Sequence, residues 1–231
     1  MKTKTTKNME KERLIGGLLF WCGMLLAIIL EYNSIDLTFN NPLMCIFWLM
    51  SVLMIISWIF CINLPVGARK YTKRWFIQSN SAVADSELRK EIRWQSRQAI
   101  KIAVIWIIFL SIEGIALYFN IVTEKFIIFG MCILRIVDKL FIFWWCPFGA
   151  IMNNKCCTSC RIYGWDQLML NSPMIFLPSL FSYSLVILSM IPFIQWEVAI
   201  RRHPERFSPR SNVAIRCSNC PGVCGRCKKV D

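Results

Sequence analysis

The apolar positions of this chain fall into long unbroken runs rather than stripes. Leu43 to Leu64 and Pro173 to Ile194 contain no charged residue, and Leu14 to Leu30 is a shorter run of the same kind. A surface helix of a soluble domain would alternate apolar and polar residues at a period near 3.6. Uncharged stretches of about 18 residues instead match the thickness of a bilayer core. Ile102 to Phe119 is a further candidate. The stretch 126–146 is another, although it contains Arg135, Asp138 and Lys139. The region after Ile162 is broken by Pro173 and Pro178, so 162–179 is expected to be a short or re-entrant segment and 181–200 a full crossing. The pattern predicts an all-α, polytopic transmembrane bundle over residues 1–200. It has about six membrane-inserted segments, at about 14–30, 43–64, 102–119, 126–146, 162–179 and 181–200. Residues 201–231 form a basic, cysteine-rich tail.

The polar connections set an orientation. Lys2, Lys4, Lys7, Lys11 and Arg13 precede the first run, whereas 31–42 has no Lys or Arg. The next connection carries Arg69, Lys70, Lys73, Arg74, Arg89, Lys90, Arg93 and Arg97, and the tail carries Arg201, Arg202, Arg206, Arg210, Arg216, Arg226, Lys228 and Lys229. Lys and Arg collect on the cytoplasmic side. Both termini are therefore expected in the cytoplasm, which requires an even number of crossings. Five crossings with an external tail is the alternative. The start of the chain has the form of a signal peptide, but Leu30 leads into Glu31-Tyr32-Asn33 rather than a small-residue cleavage site. Within the basic connection, a helix capped by Ser86 with Leu88 and Ile92 on one face is expected to lie at the interface and run on toward the third crossing.

Composition agrees. The chain has 231 residues, of which 56% are hydrophobic, and a formal net charge of +13. Soluble domains are about 45–50% apolar. Because the cations flank apolar runs, they point to topology and contact with anionic lipid, and no nucleic-acid motif is present. The single histidine, His203, excludes bis-histidine haem and any two-histidine zinc site within one chain. No nucleophile, base and orienting group occur at a recognisable catalytic spacing. Charges at membrane depth normally face protein and find partners. Glu113, Arg135, Asp138 and Lys139 are therefore expected to form an intramembrane cluster, with Arg135 and Asp138 paired one turn apart or Glu113 serving as partner. A transporter or channel is the functional reading these four residues alone would support.

Twelve cysteines are the main chemical signal. Cys22, Cys45, Cys61 and Cys132 lie in apolar runs and read as small core residues. Cys146, Cys156, Cys157 and Cys160 gather in CPFGAIMNNKCCTSC, and Cys217, Cys220, Cys224 and Cys227 in CSNCPGVCGRC. Paired CxxC loops place thiolates on one ion. The tail spacing differs from the bacterial ferredoxin run and is tighter than a zinc ribbon. All eight thiols fall on the expected cytoplasmic face, where disulfides are disfavoured. A redox dithiol is a further possibility, since neighbouring cations stabilise thiolates. An all-cysteine metal site in a cytoplasmic cap is the expectation: an iron–sulfur cluster serving electron transfer to a partner protein or a quinone, or alternatively zinc organising a membrane scaffold.

The segments KCCTSCRIYGWD (Lys155 to Asp166) and RRHPERF (Arg201 to Phe207) resemble a group of small, uncharacterised, cysteine-rich bacterial membrane proteins. The resemblance covers roughly the C-terminal third. It implies location in the bacterial inner (cell) membrane and carries over no activity.

Overall fold

The structure, a computed structural model, describes residues 2–32, 41–62, 64–80, 83–144, 146–154, 156–216 and 219. Among them the chain is helical, with one isolated bridge, between Gln78 and Asn212. Helix α1 spans Lys2–Leu30, α2 Pro42–Ile59, α3 Asp85–Tyr118, α4 Glu124–Phe143, α5 Pro147–Ile151, α6 Asp166–Asn171 and α7 Leu180–Arg202. Four of these, α1 (from Asn8), α2, α3 and α7, are long and apolar enough to cross a membrane. Their outward faces carry bare apolar side chains: Ile107, Ile112 and Ile187 are 61%, 62% and 64% exposed. A continuous apolar exterior of this kind suits lipid rather than water.

Local chemistry sets the boundaries. Asn41 caps α2 by accepting from Leu43 N (2.9 Å) and Met44 N (3.3 Å), with Pro42 in the first turn. The helix ends at Ile59, short of the Leu64 expected from hydropathy. Cys61 adopts a left-handed conformation (φ 56°) and Ile62 N bonds back to Ser57 O (2.9 Å). Apolarity continues past this point, but the backbone turns. Asn120 makes the comparable left-handed turn between α3 and α4 (φ 55°), a conformation Asn tolerates well. Ser179 caps α7 by accepting from Ser182 N (3.1 Å).

The interfacial helix and the third crossing are one element. Helix α3 has 34 residues, about 51 Å at 1.5 Å per residue, and so overshoots a bilayer core. It starts at Asp85, with Ala84 rather than Ser86 at the cap. Its overshooting end buries Leu88 and Ile92 and docks through Glu91, which accepts from Ser208 Oγ (2.8 Å). Residues 162–179 form no single helix. A 3-10 turn at Tyr163–Trp165, α6 and a 3-10 turn at Ser172–Phe176 follow one another. This broken strip leans on α3: Trp106 Nε1 donates to Ser172 Oγ (2.9 Å), and a Cβ on Gly114 would come 2.7 Å from the Phe176 ring.

Helix α1 packs along α4, and α2 along α7. The central core holds Trp21, Phe47, Ile55, Met131, Phe181 and Leu185. A second layer closes the end of the bundle at which α1 begins. It is built from residues 64–80, 146–165 and 203–216. Arg69 pairs with Glu10 of α1, and Val213 N donates to Ile77 O (2.8 Å). Trp196, at the same end of α7, packs against Trp58, Tyr71 and Phe207. Both the start of α1 and the stretch after α7 therefore join the same layer.

Candidate functional site

The cysteine loop sits inside this end layer. A 3-10 turn at Cys157–Ser159 carries the CxxC, and Asn154 organises it by accepting from Cys156 N (3.3 Å) and Ser159 Oγ (3.0 Å). Cys160 is buried, while Cys146, Cys156 and Cys157 are half-buried. Lys70 is fully buried beneath the loop and donates to Cys160 O (2.7 Å). Its Nζ also lies over the rings of Trp196 (5.4 Å) and Phe207 (5.9 Å). Burial pulls the Lys70 ammonium down to about 8, although neighbouring thiols oppose the shift. Burial likewise pushes the Cys157 thiol up to about 12 and raises that of Cys160. Without an ion these two thiols stay protonated at neutral pH, which disfavours a reactive dithiol.

No disulfide joins the eight described cysteines. Among the described residues no three His, Cys, Asp or Glu side chains gather closely enough to hold a metal ion. Cys217, Cys220, Cys224 and Cys227 lie outside the described residues. The described part of the tail ends close to the loop, however. Thr158, between Cys157 and Cys160 and itself buried, donates to Ile215 O (3.0 Å), two residues before Cys217. The other cysteines are not uniformly core residues. Cys132 is buried, but Cys22 and Cys45 are exposed on the bundle exterior and Cys61 makes a turn.

Next to the loop, Arg161 makes a bidentate pair with Glu197 of α7 (Nη1–Oε1 2.7 Å, Nη2–Oε2 2.6 Å), and Trp165 Nε1 donates to Glu197 Oε1 (2.7 Å). Two parallel bonds to one carboxylate are among the strongest side-chain interactions.

The charges at membrane depth divide. Arg135 is fully buried, yet it does not bond Asp138 or Glu113. Its Nη2 donates to Asn171 Oδ1 (2.6 Å) and Ser51 Oγ (3.2 Å), and its guanidinium lies 4.6 Å from the Trp21 ring centroid. Asp138 instead accepts from Lys139 Nζ (2.6 Å). Asp166 joins this neighbourhood from α6, accepting from Gln167 Nε2 (3.0 Å). Glu113 stands apart, and no ion pair reaches it among the described residues. The expected Arg135–Asp138 pair thus gives way to neutral dipoles supplied by other helices. Adjacency along α4 loses to a side chain long enough to reach across the bundle.

Sequence reasoning missed Asp166, Gln167, Asn171 and the Arg161–Glu197 pair. Their signal was present. Polar residues at 166, 167 and 171 interrupt an apolar stretch, which marks inward-facing positions.

A cavity of about 450 Å³ joins the two polar regions. Its wall includes Phe20 and Trp21 of α1, Met54 of α2, Asp138 and Lys139 of α4, Cys157 and Cys160 of the loop, and Asp166 and Gln167 of α6. No protein-family model matches this chain, and no curated protein or solved structure matches it either. The functional reading rests on its own residues.

Proposed function

We propose that this is a multi-pass membrane protein whose cytoplasmic end layer is a cysteine-liganded metal unit acting in electron transfer. The bundle comprises α1 to α4, the broken strip 162–179 and α7, about six inserted segments in residues 1–200, with both termini in the cytoplasm of a bacterial cell. The positive-inside pattern supports that orientation. So does the shared layer reached by the start of α1 and by residues 203–216.

The bond from Thr158 to Ile215 O carries the metal reading. Two residues of chain span at most about 7 Å, so Cys217 begins within reach of the loop thiols. Cys157, Cys160, Cys217 and Cys220 are the proposed ligands of one site. Cys146, Cys156, Cys224 and Cys227 are available to complete or extend it. Metal binding displaces the thiol protons and offsets the entropy of ordering the tail. An iron–sulfur cluster held this way supplies one-electron chemistry at the membrane surface. Zinc on the same thiolates would make the layer a scaffold.

The test is anaerobic purification of the full chain in detergent, with metal and acid-labile sulfide analysis. The expected result is iron with stoichiometric sulfide, lost in Cys217→Ser/Cys220→Ser together with protease protection of the 156–160 loop. Zinc without sulfide selects the scaffold. Absence of bound metal overturns the proposal.

A further inference from the structure

The cavity has the build of a ligand site. Its volume falls within the range of small-molecule pockets, about 300–1,000 Å³. Most of its wall is apolar and much of that is aromatic, including Phe20, Trp21, Trp106, Phe141, Phe148 and Tyr163. Flat rings suit such walls. The inner polar groups converge where Asp138 and Lys139 on α4 meet Asp166 and Gln167 on α6, with Glu10 and Arg13 toward the start of α1. Asp138 commits only Oδ2, to Lys139, and Asp166 only Oδ2, to Gln167. The second oxygen of each carboxylate takes no hydrogen bond among the described residues. Gln167 is 1% exposed, and its Oε1 has no partner there either. Gln167 Oε1 is thus a buried acceptor without a partner, which is costly, and a second oxygen on each carboxylate stands at the same end of the chamber.

The charges limit the ligand further. Glu10 is matched by Arg69 and Asp138 by Lys139, and Arg135 lies within electrostatic reach of Asp166. Arg13, also on the wall, is exposed at the rim. The matched interior calls for neither an anionic nor a cationic head. It calls for a neutral head that donates.

We infer that the cavity binds a membrane quinol, a neutral aromatic ring with two hydroxyl donors and an apolar tail, its hydroxyls directed to the unused oxygens of Asp138 and Asp166. The oxidised quinone offers only acceptors, which Lys139 can meet but the three oxygens cannot, so the site favours the reduced form. Binding does not depend on the metal reading, although the thiols of Cys157 and Cys160 on the same wall place the ligand beside the proposed metal unit.

Two glycines make the test clean. A Cβ on Gly17, on the cavity wall, would meet only Lys139 Cε at 4.0 Å, and one on Gly130, off the wall, would meet nothing within 4 Å. Leucine at either position raises helix propensity, so both variants are expected to fold. The full chain in detergent is titrated with menadiol and with menadione by calorimetry under nitrogen. Saturable menadiol binding is expected, at least tenfold tighter than menadione. Gly17→Leu should weaken it at least tenfold, while Gly130→Leu leaves it unchanged. Asp166→Asn, which replaces a carboxyl oxygen with a permanent amide donor, should narrow the preference for the reduced form. Gly17→Leu should keep the metal and sulfide content of the parent, so loss of the quinol site and loss of metal are read separately. No saturable binding, equal affinity in the two leucine variants, or equal affinity for menadiol and menadione overturns the inference. Should Gly17→Leu fail to fold, Gly16→Leu, also on the wall and also with nothing within 4 Å of its Cβ, replaces it.

Discussion

Arg135 and Arg161 are both buried, and they are neutralised by opposite means. Arg161, in the end layer, meets a carboxylate head-on through two bonds to Glu197. Arg135, inside the bundle, has no carboxylate in its hydrogen-bond shell. It distributes its charge over an amide oxygen, a hydroxyl and the faces of Trp21 and Phe47. The contrast follows from what each can reach. Glu197 lies in the last turns of α7, where the helix enters the layer that holds Arg161. Arg135 sits between α1, α2 and α6, whose residues within its hydrogen-bond reach are aromatic or neutral, with Asp166 acting only through space. One arrangement stabilises through a specific partner. The other tolerates a charge by surrounding it with dipoles, so its members should be removable at different cost.

The largest effect is expected at the ion pair. Arg161→Ala leaves the half-buried Glu197 with Trp165 as its remaining hydrogen-bond donor and should cost up to about 3 kcal/mol, the low end for breaking a buried pair. Arg161→Met combined with Glu197→Leu should be clearly milder, because no charge is stranded. Chemical denaturation in detergent, followed by tryptophan fluorescence, measures both. Equal losses in single and double variants would mean that packing, not charge, sets the cost.

A smaller effect is expected inside the bundle, with a revealing order. Asn171→Leu takes the shortest bond from a guanidinium that stays charged, and a hydrogen bond to a charged group is worth about 1.5–3 kcal/mol. Arg135→Met removes the charge, its hydrogen-bond partners are neutral and Asp166 keeps Lys139 within electrostatic reach, so it should cost less than Asn171→Leu. If Arg135→Met proved as damaging as Arg161→Ala, the distinction between the two arginines would collapse. Asp138→Asn should leave the hydrogen bonds of Arg135 intact, since Asp138 bonds Lys139.

A third test concerns Lys70, a further buried cation, with a carbonyl and two rings as partners. In the unfolded chain its ammonium titrates near 10.5, and in the fold near 8. Between those values folding releases a proton, so raising the pH through this window favours the folded state. Below about 8 both states are charged and the burial penalty is constant. Lys70→Met removes the titration while keeping most of the packing. The difference in stability, parent minus Lys70→Met, should therefore rise between pH 8 and 10.5 and stay flat below. Taking the difference cancels the groups that do not interact with Lys70, and the loop thiols beside it remain coupled to its charge. A flat difference throughout would show that Lys70 is better solvated than its burial implies.

Much of the fold was legible in the sequence because membrane insertion is written in uninterrupted apolarity. The helices at Lys2–Leu30, Pro42–Ile59, Asp85–Tyr118 and Leu180–Arg202 each contain a run visible by hydropathy alone, and Pro173 and Pro178 marked the strip that breaks into short turns. The ends were less legible. Cys61 closes α2 through a left-handed turn within apolar sequence, and α3 continues through a polar stretch because its far end is docked on the layer. Partner choice was not legible at all. Arg135 and Asp138 are neighbours along α4, which suggested a pair, but Asn171 is 36 residues away in sequence and 2.6 Å away in space. Hydropathy is a property of single positions and can be summed along a chain. Neutralising a buried charge depends on what other elements bring within about 3 Å, and only packing decides that. The same holds for the cysteine loop: CxxC spacing suggested thiol chemistry, but nothing in either motif signalled that Thr158 bonds Ile215 O across 57 residues of sequence.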